Sequence, residues 1–139
     1  MKSSDHWKKL FFLIGLTLFG GFSCERSPER LYKVLLGKTP TSVTILHGKD
    51  QYFLDCCIWL HFKISEPDLK GILKDFEQQE IKMWKWKSNL PPNMDWWKPE
   101  QLGSEVLYFE KASDNYQEGE GIYTSNKFDE VYYVNWAGH

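Results

Sequence analysis

The feature of the sequence that most constrains the fold is an alternation of side chains over residues 52–64. Every second residue of this segment is apolar: Tyr52, Leu54, Cys56, Ile58, Leu60, Phe62 and Ile64. Successive side chains of a β-strand point to opposite faces of the sheet, so all of these residues share one face. The alternation therefore predicts an antiparallel strand with one fully buried face.

The segment before this strand predicts its hairpin partner. Residues 42–47 are β-rich, and residues 48–51 (Gly48-Lys49-Asp50-Gln51) have the composition of a turn. The predicted cross-strand pairs are His47 with Tyr52, Ile45 with Leu54, and Val43 with Cys56. This register puts His47 on the core face and His61 on the opposite face, at the far end of the strand. We therefore expect the two histidines not to meet and not to form a metal site.

Helices and further strands complete the predicted fold. Residues 30–37 predict a short helix that stops at Gly37, and Ser65 is a good N-cap for a helix over 66–79. The apolar face of that second helix consists of Leu69, Ile72, Leu73 and Phe76. Further strands are predicted over 81–87, 106–110, 121–125 and 131–136. The fold class is α+β, an antiparallel sheet of about 4–6 strands with one main helix packed on one face.

The first residues have the layout of a secretory signal peptide, which precedes this fold. Lys2, Lys8 and Lys9 stand against one acid, Asp5, and residues 10–22 carry no charge. An uncharged run this short does not reach the roughly 20 residues that a membrane-spanning helix needs. A basic start, a short apolar run and small residues at its end predict a signal peptide over residues 1–23.

The end of the apolar run, Gly21-Phe22-Ser23-Cys24, resembles the lipobox of bacterial lipoproteins. Ser23 and Cys24 fit that pattern, whereas Gly21 stands where the family usually has Leu. The resemblance implies that Cys24 carries acyl chains such as palmitate, and that the protein is anchored on a bacterial cell membrane or outer membrane, facing the periplasm or the exterior. Glu25, in place of Asp, slightly favours the outer membrane. Ordinary cleavage after Ser23, with Gly21 and Ser23 as the small residues, is the alternative.

This division predicts three parts: a signal peptide (1–23), a lipidated tether or linker (24–29) and a single α+β domain (30–139). The whole chain of 139 residues has a formal net charge of −2. Loss of three lysines and one aspartate with residues 1–23 makes the remainder −4. A mildly acidic domain lacks the basic face of a nucleic-acid binder, so we expect no nucleic-acid partner.

Tryptophan is the main candidate for binding, because six of the seven lie outside the signal peptide. Trp84 and Trp86 share one face of an extended segment, and Trp96 and Trp97 follow in a loop. Such rings could contact a protein partner or a glycan, or lie at the membrane interface beside lysines. The alternative is that they cover the open face of a small sheet.

No catalytic residue, cofactor or metal site is predicted. There is no Gly-x-Ser-x-Gly nucleophile motif, and the adjacent Cys56 and Cys57 point to opposite faces of a strand and cannot pair without distortion. Carboxylate pairs that could serve a hydrolase are Asp95 with Glu100 and Glu118 with Glu120. The sequence thus favours a non-enzymatic envelope lipoprotein that binds a protein partner, as an inhibitor does, or a glycan. The alternative is a small hydrolase of cell-wall glycan or peptide.

The lipid anchor gives the first testable prediction. We expect Cys24→Ala to abolish membrane association, because the thiol of Cys24 is the predicted attachment point and two or three acyl chains are needed for stable anchoring. The measurement is fractionation of envelopes from cells that express either form. Persistence of the variant in the membrane fraction would contradict the lipoprotein assignment.

Overall fold

The structure, a computed structural model, describes residues 26–51, 56–80, 94–114 and 117–137. These residues form a six-stranded antiparallel sheet with two short helices, which confirms the predicted α+β class. The helices are α1 (Pro28–Leu36) and α2 (Glu66–Ile72). The strands are β1 (Thr44–Gln51), β2 (Cys56–Lys63), β3 (Glu77–Gln79), β4 (Val106–Ala112), β5 (Glu118–Ser125) and β6 (Glu130–Ala137). The predicted signal peptide, Cys24 and the strand predicted over 81–87 lie outside the described residues.

The strand order β1-β2-β6-β5-β4-β3 places β2 inside the sheet, between β1 and β6. The predicted C-terminal hairpin is present as β5 and β6, which pair directly. The strand predicted at 106–110 is β4, and it pairs with β5 on one side and with the short β3 on the other. No helix among the described residues is long and apolar enough to cross a membrane.

One face of the sheet is covered by the two helices. Its buried residues, the first cluster, are Leu31, Tyr32, Ile58, Leu60, Phe62, Ile64, Leu69, Ile122, Val131 and Tyr133. Ile58, Leu60, Phe62 and Ile64 come from the alternating segment, so the predicted core face of this strand is confirmed. Helix α1 contributes Leu31 and Tyr32, whose ring meets Phe62 edge to face at a centroid distance of 5.1 Å.

The opposite face of the sheet is also buried, so the expectation of only one buried face is wrong. Its buried residues, the second cluster, are Trp59, Met94, Trp97, Tyr108, Tyr123, Tyr132, Val134 and Trp136. Met94 and Trp97 come from the chain before β4, which covers this face. Trp59 and His61, assigned by the alternation to the more polar side of the strand, are therefore buried. An aromatic-rich second layer converts that side of β2 into core.

The hairpin register differs from the prediction. Strand β1 continues to Gln51 and pairs Gln51 with Cys57, so residues 48–51 are strand and not turn. Gly48 is the cause: a Cβ placed there would lie 2.8 Å from Cβ of Pro28, so this glycine admits helix α1 against β1 and does not mark a turn. An irregularity between Ile45 and His47 shifts the pairing further.

The second helix is shorter than predicted. Ser65 is its N-cap as expected, but helix α2 ends at Ile72 and a 3₁₀ turn follows. Phe76 is already extended, and the next three residues form β3 against β4. Gly71 weakens the helix, while pairing with β4 satisfies the backbone of the following residues. Phe76 nevertheless packs against the first cluster, as the helical spacing suggested.

Three polar side chains connect the start of β1 to the start of α2. Ser42 Oγ and Ser65 Oγ both donate to Asp68 Oδ2, and the Ser65 backbone N–H donates to Ser42 Oγ. The hydrogen bonds from Ser42 and then Ser65 hold the pKa of the Asp68 carboxyl below its usual value. This carboxylate thus joins the helix N-terminus, which attracts negative charge, to the sheet.

Two glycines in β5 make room for large rings on the second face. A Cβ at Gly119 would lie 2.5 Å from the Trp136 ring and 2.9 Å from the Lys111 carbonyl oxygen. A Cβ at Gly121 would lie 2.9 Å from the Tyr108 hydroxyl. Each ring therefore lies across a strand position without a side chain, which a larger residue would prevent.

This close packing predicts opposite effects of the same change at two glycines. Gly119→Ala should destabilise the fold by about 1–3 kcal/mol, because its methyl group overpacks against a ring and a backbone oxygen that cannot both move. Gly71→Ala is the control: it meets nothing within 4 Å and should stabilise helix α2 by up to about 1 kcal/mol. Urea denaturation measures both. Equal stability of the two variants would contradict the packing.

Candidate functional site

The strand register aligns five aromatic or imidazole rings across the second face of the sheet. His47 on β1 faces His61 on β2, and His61 faces Tyr132 on β6. Tyr132 in turn faces Tyr123 on β5, and Tyr123 faces Tyr108 on β4. These five residues, the aromatic row, run perpendicular to the strands, whose spacing is about 4.8 Å.

Most neighbouring rings of the aromatic row are nearly parallel. The ring centroids of His47 and His61 lie 5.4 Å apart with an interplanar angle of 14°. Those of His61 and Tyr132 lie 4.0 Å apart at 8°. Tyr108 and Tyr123 stack at 4.6 Å and 29°. Such stacked pairs contribute about 0.5–1.5 kcal/mol each beyond their buried area.

The contact between His47 and His61 corrects the prediction that these residues do not meet. The predicted hairpin put His47 on the core face of the sheet, whereas the observed register puts it on the second face, where its side chain is exposed. The error follows directly from the misplaced turn, because a register shift changes every cross-strand pair. Among the described residues, no group of three or more His, Cys, Asp or Glu side chains could hold a metal ion.

Trp96 and Trp97 are adjacent in sequence but occupy different environments. Trp97 is 3% exposed and packs its edge against Tyr132 and Tyr123, at centroid distances of 5.4 and 6.3 Å. Trp96 is half-buried and stacks on His47 at 5.1 Å and 15°. Its plane is also within 5° of the His61 ring, at 6.4 Å. Trp97 is thus part of the second cluster, while Trp96 lies over the histidine end of the aromatic row.

His61 has a carboxylate partner on the neighbouring strand. Its Nε2 lies 2.7 Å from Oε1 of Glu130, and a carboxylate only accepts, so Nε2 carries the proton. The other nitrogen, Nδ1, is buried and has no hydrogen-bond partner among the described residues. Burial lowers the pKa of His61, and the attraction of Glu130 only partly opposes this effect. His61 is therefore neutral at neutral pH.

A histidine oriented by a carboxylate is one half of a catalytic triad, yet this pair lacks the other half. The nucleophile would have to reach Nδ1, which is buried within the sheet face. Cys57, on the same strand and the same face, is four residues away, which is about 13 Å along a strand. The pair therefore serves to hold the ring of His61 in place.

The remaining predicted site residues are dispersed. Asp95 and Glu100 are exposed beside the two tryptophans, and Glu118 is exposed on β5. Glu120 accepts a hydrogen bond of 2.6 Å from the Tyr133 hydroxyl, so its carboxylate is engaged in the fold. Cys24, Trp84 and Trp86 lie outside the described residues, and their roles stay predictions.

A polar concavity of about 400 Å³ lies at the other edge of the sheet, beside β3 and β4. Glu77 and Glu110 face each other across these strands and line it together with Asp75 and Asp114. Glu110 is buried and accepts a hydrogen bond from the Tyr108 hydroxyl at 2.6 Å. This carboxylate therefore anchors the far end of the aromatic row.

Comparison of the chain with protein-family models, curated proteins and solved structures gives no match. The function must therefore be inferred from the aromatic row and the residues that cover it.

The different burial of the two tryptophans predicts different effects on stability. Trp97→Ala should lower the free energy of unfolding by about 3–5 kcal/mol, because a large ring leaves the second cluster. Trp96→Ala should cost clearly less, because this ring is only partly buried. Urea denaturation of the two variants and of the unchanged protein makes the comparison. A loss at Trp96 as large as that at Trp97 would show that both rings belong to the core.

Proposed function

We propose that this protein is an exported, lipid-anchored protein of the bacterial cell envelope whose α+β domain binds a glycan without catalysis. The predicted signal peptide and Cys24 support the location. The observation that carries the binding proposal is the open end of the aromatic row, where exposed His47 and half-buried Trp96 lie with parallel rings.

A platform of this kind suits a sugar ring. An aromatic ring stacks on the apolar side of a sugar, while the hydroxyl groups need polar partners nearby. The polar groups around Trp96 are its exposed neighbours Asp95 and Lys98, together with the imidazole of His47. Carboxylate, ammonium and imidazole groups together supply donors and acceptors for hydroxyl groups.

The described surface offers less to a protein partner. Stable protein interfaces have a central patch of apolar and aromatic side chains. Among the described residues, the only exposed large hydrophobic side chains are Val34, 61% exposed, and Leu46, 39% exposed. A glycan is therefore the favoured partner, and a protein partner or inhibitor role is the second outcome of the test below.

The alternative function, a small cell-envelope hydrolase, has weaker support. Its best base would be His61, but the available nitrogen of this residue is buried. Asp95 and Glu100 are both exposed, whereas the general acid of a hydrolase is typically a carboxyl group in an apolar pocket. The site supports binding better than bond cleavage.

The test is co-sedimentation of the full-length protein with insoluble cell-wall glycan. Trp96→Ala should reduce the bound fraction at least about tenfold, as expected when an aromatic anchor is lost. Val34→Ala is the control, because it removes an exposed apolar side chain of helix α1, outside the aromatic row, and should bind normally.

Three results would count against the proposal. If the unchanged protein stays in the supernatant, it does not bind this glycan. If a cross-linker placed at position 96 instead captures an envelope protein, the partner is a protein. Release of soluble fragments from the glycan would show that the domain is a hydrolase.

A further inference from the structure

The histidine end of the aromatic row holds a neutral, buried imidazole near the partly exposed indole of Trp96. His61 is 8% exposed, stacked on Tyr132 at 4.0 Å and beside His47 at 5.4 Å. The parallel indole of Trp96 lies 6.4 Å away. A proton added to His61 would enter at Nδ1, because Nε2 already donates to Glu130.

The charged groups around His61 come from three strands. Glu130 on β6 attracts a positive charge, whereas His47 on β1 and Lys63 on β2 repel it. Tyr132, the stacking partner on β6, is neutral, since burial first and then Glu130 and Glu100 raise its pKa. The 94–102 segment contributes the uncharged ring of Trp96 at this point. Burial outweighs the attraction of Glu130, so the closed site disfavours the charged imidazole.

Protonation would also create a buried donor. Nδ1 has no acceptor among the described residues, and a charged N–H group without a partner is costly unless water reaches it. Water needs a path, and the groups that cover His61 differ in how firmly they are held. Tyr132 belongs to a central strand, whereas Trp96 is half-buried and stacks on the exposed ring of His47.

Trp97, the neighbour of Trp96 in sequence, holds this segment of the chain on the sheet. It is buried against Tyr132 and Tyr123, and its backbone N–H donates to the Met94 carbonyl oxygen. The segment can therefore keep its position on the sheet while the side chain of Trp96 changes its rotamer.

We propose that Trp96 is a proton-sensitive cover of the aromatic row, which stacks on the histidine pair at neutral pH and swings away when His61 is protonated. This inference concerns the regulation of the surface in the proposed function, and acid would make the indole more available to a ligand. Its test needs no ligand, so either proposal can fail while the other stands.

The sign of the pH dependence follows from linkage. In the open form, hydrated His61 titrates near the ordinary value of about 6.5, and in the closed form its pKa is lower. Above about pH 6.5 neither form takes up the proton, so the closed form is unaffected. Below about pH 6.5, His61 takes up a proton in the open form before it does so in the closed form. The ratio of open to closed molecules then rises up to about tenfold per pH unit.

The experiment is fluorine NMR of the full-length protein labelled with 5-fluorotryptophan, from pH 8 to pH 5. Trp96→Phe assigns the resonance of position 96. We expect this resonance alone to acquire a solvent isotope shift below about pH 6.5, while far-UV circular dichroism shows an intact sheet.

Two variants test the cause. His61→Gln removes the titrating group but keeps an amide donor for Glu130, so the transition should disappear. Only the Trp96 side chain moves in the proposal, so Glu130 stays beside His61 in the open form and favours its protonation there. Glu130→Gln keeps an acceptor but removes this charge, so the transition should move to lower pH. If His61→Gln does not fold, Glu130→Gln still tests whether protonation of His61 causes the transition.

The proposal is overturned by any of four observations. The Trp96 resonance is the same at pH 8 and pH 5, or the transition persists in His61→Gln, or Glu130→Gln moves it to higher pH. Loss of the circular dichroism signal in the same pH range would show global unfolding in place of a local movement.

Discussion

Burial of strand β2 on both faces is the constraint on which the rest of the structure depends. Ile58, Leu60 and Phe62 pack under the two helices, in the first cluster. Trp59 and His61 are buried on the opposite face, which the second cluster occupies. A short domain has little apolar surface to bury on one side of a sheet alone. Using both faces of one strand joins two small clusters into a single folded unit, so a register error in β2 would disrupt both clusters at once.

Two buried tyrosines, one on each face of the sheet, have carboxylate partners that constrain the orientation of their rings. The Tyr108 hydroxyl donates to Glu110, and on the first face the Tyr133 hydroxyl donates to Glu120. Burial, followed by the bond to Glu120, raises the pKa of Tyr133 far above its ordinary value, so this phenol stays a donor. These partners fix the rings in single orientations, which a purely aliphatic layer of the same size would not do.

The sequence predicts the elements of this fold better than their pairing. The period-2 pattern of residues 58–64 and the C-terminal hairpin are local signals, and both are confirmed. Gly48 leads to a wrong turn prediction, because the sequence does not distinguish a glycine that permits a turn from one that lets Pro28 approach the strand closely. The end of α2 at Ile72 depends on pairing of the next residues with β4, which is a contact distant in sequence.

The candidate site was harder to predict than the fold for the same reason. The number and spacing of the tryptophans point to a binding role for these residues, but the predicted register separates the two histidines. Only the observed pairing of His47 with His61 brings their rings under Trp96. The two neighbouring tryptophans differ in burial and therefore in role. Trp97 is buried in the second cluster and holds the segment on the sheet. Trp96 can therefore lie at the surface while the second cluster stays packed. A site of this kind is specified by cross-strand register, which no local pattern contains, and it becomes visible only once every strand has its neighbours.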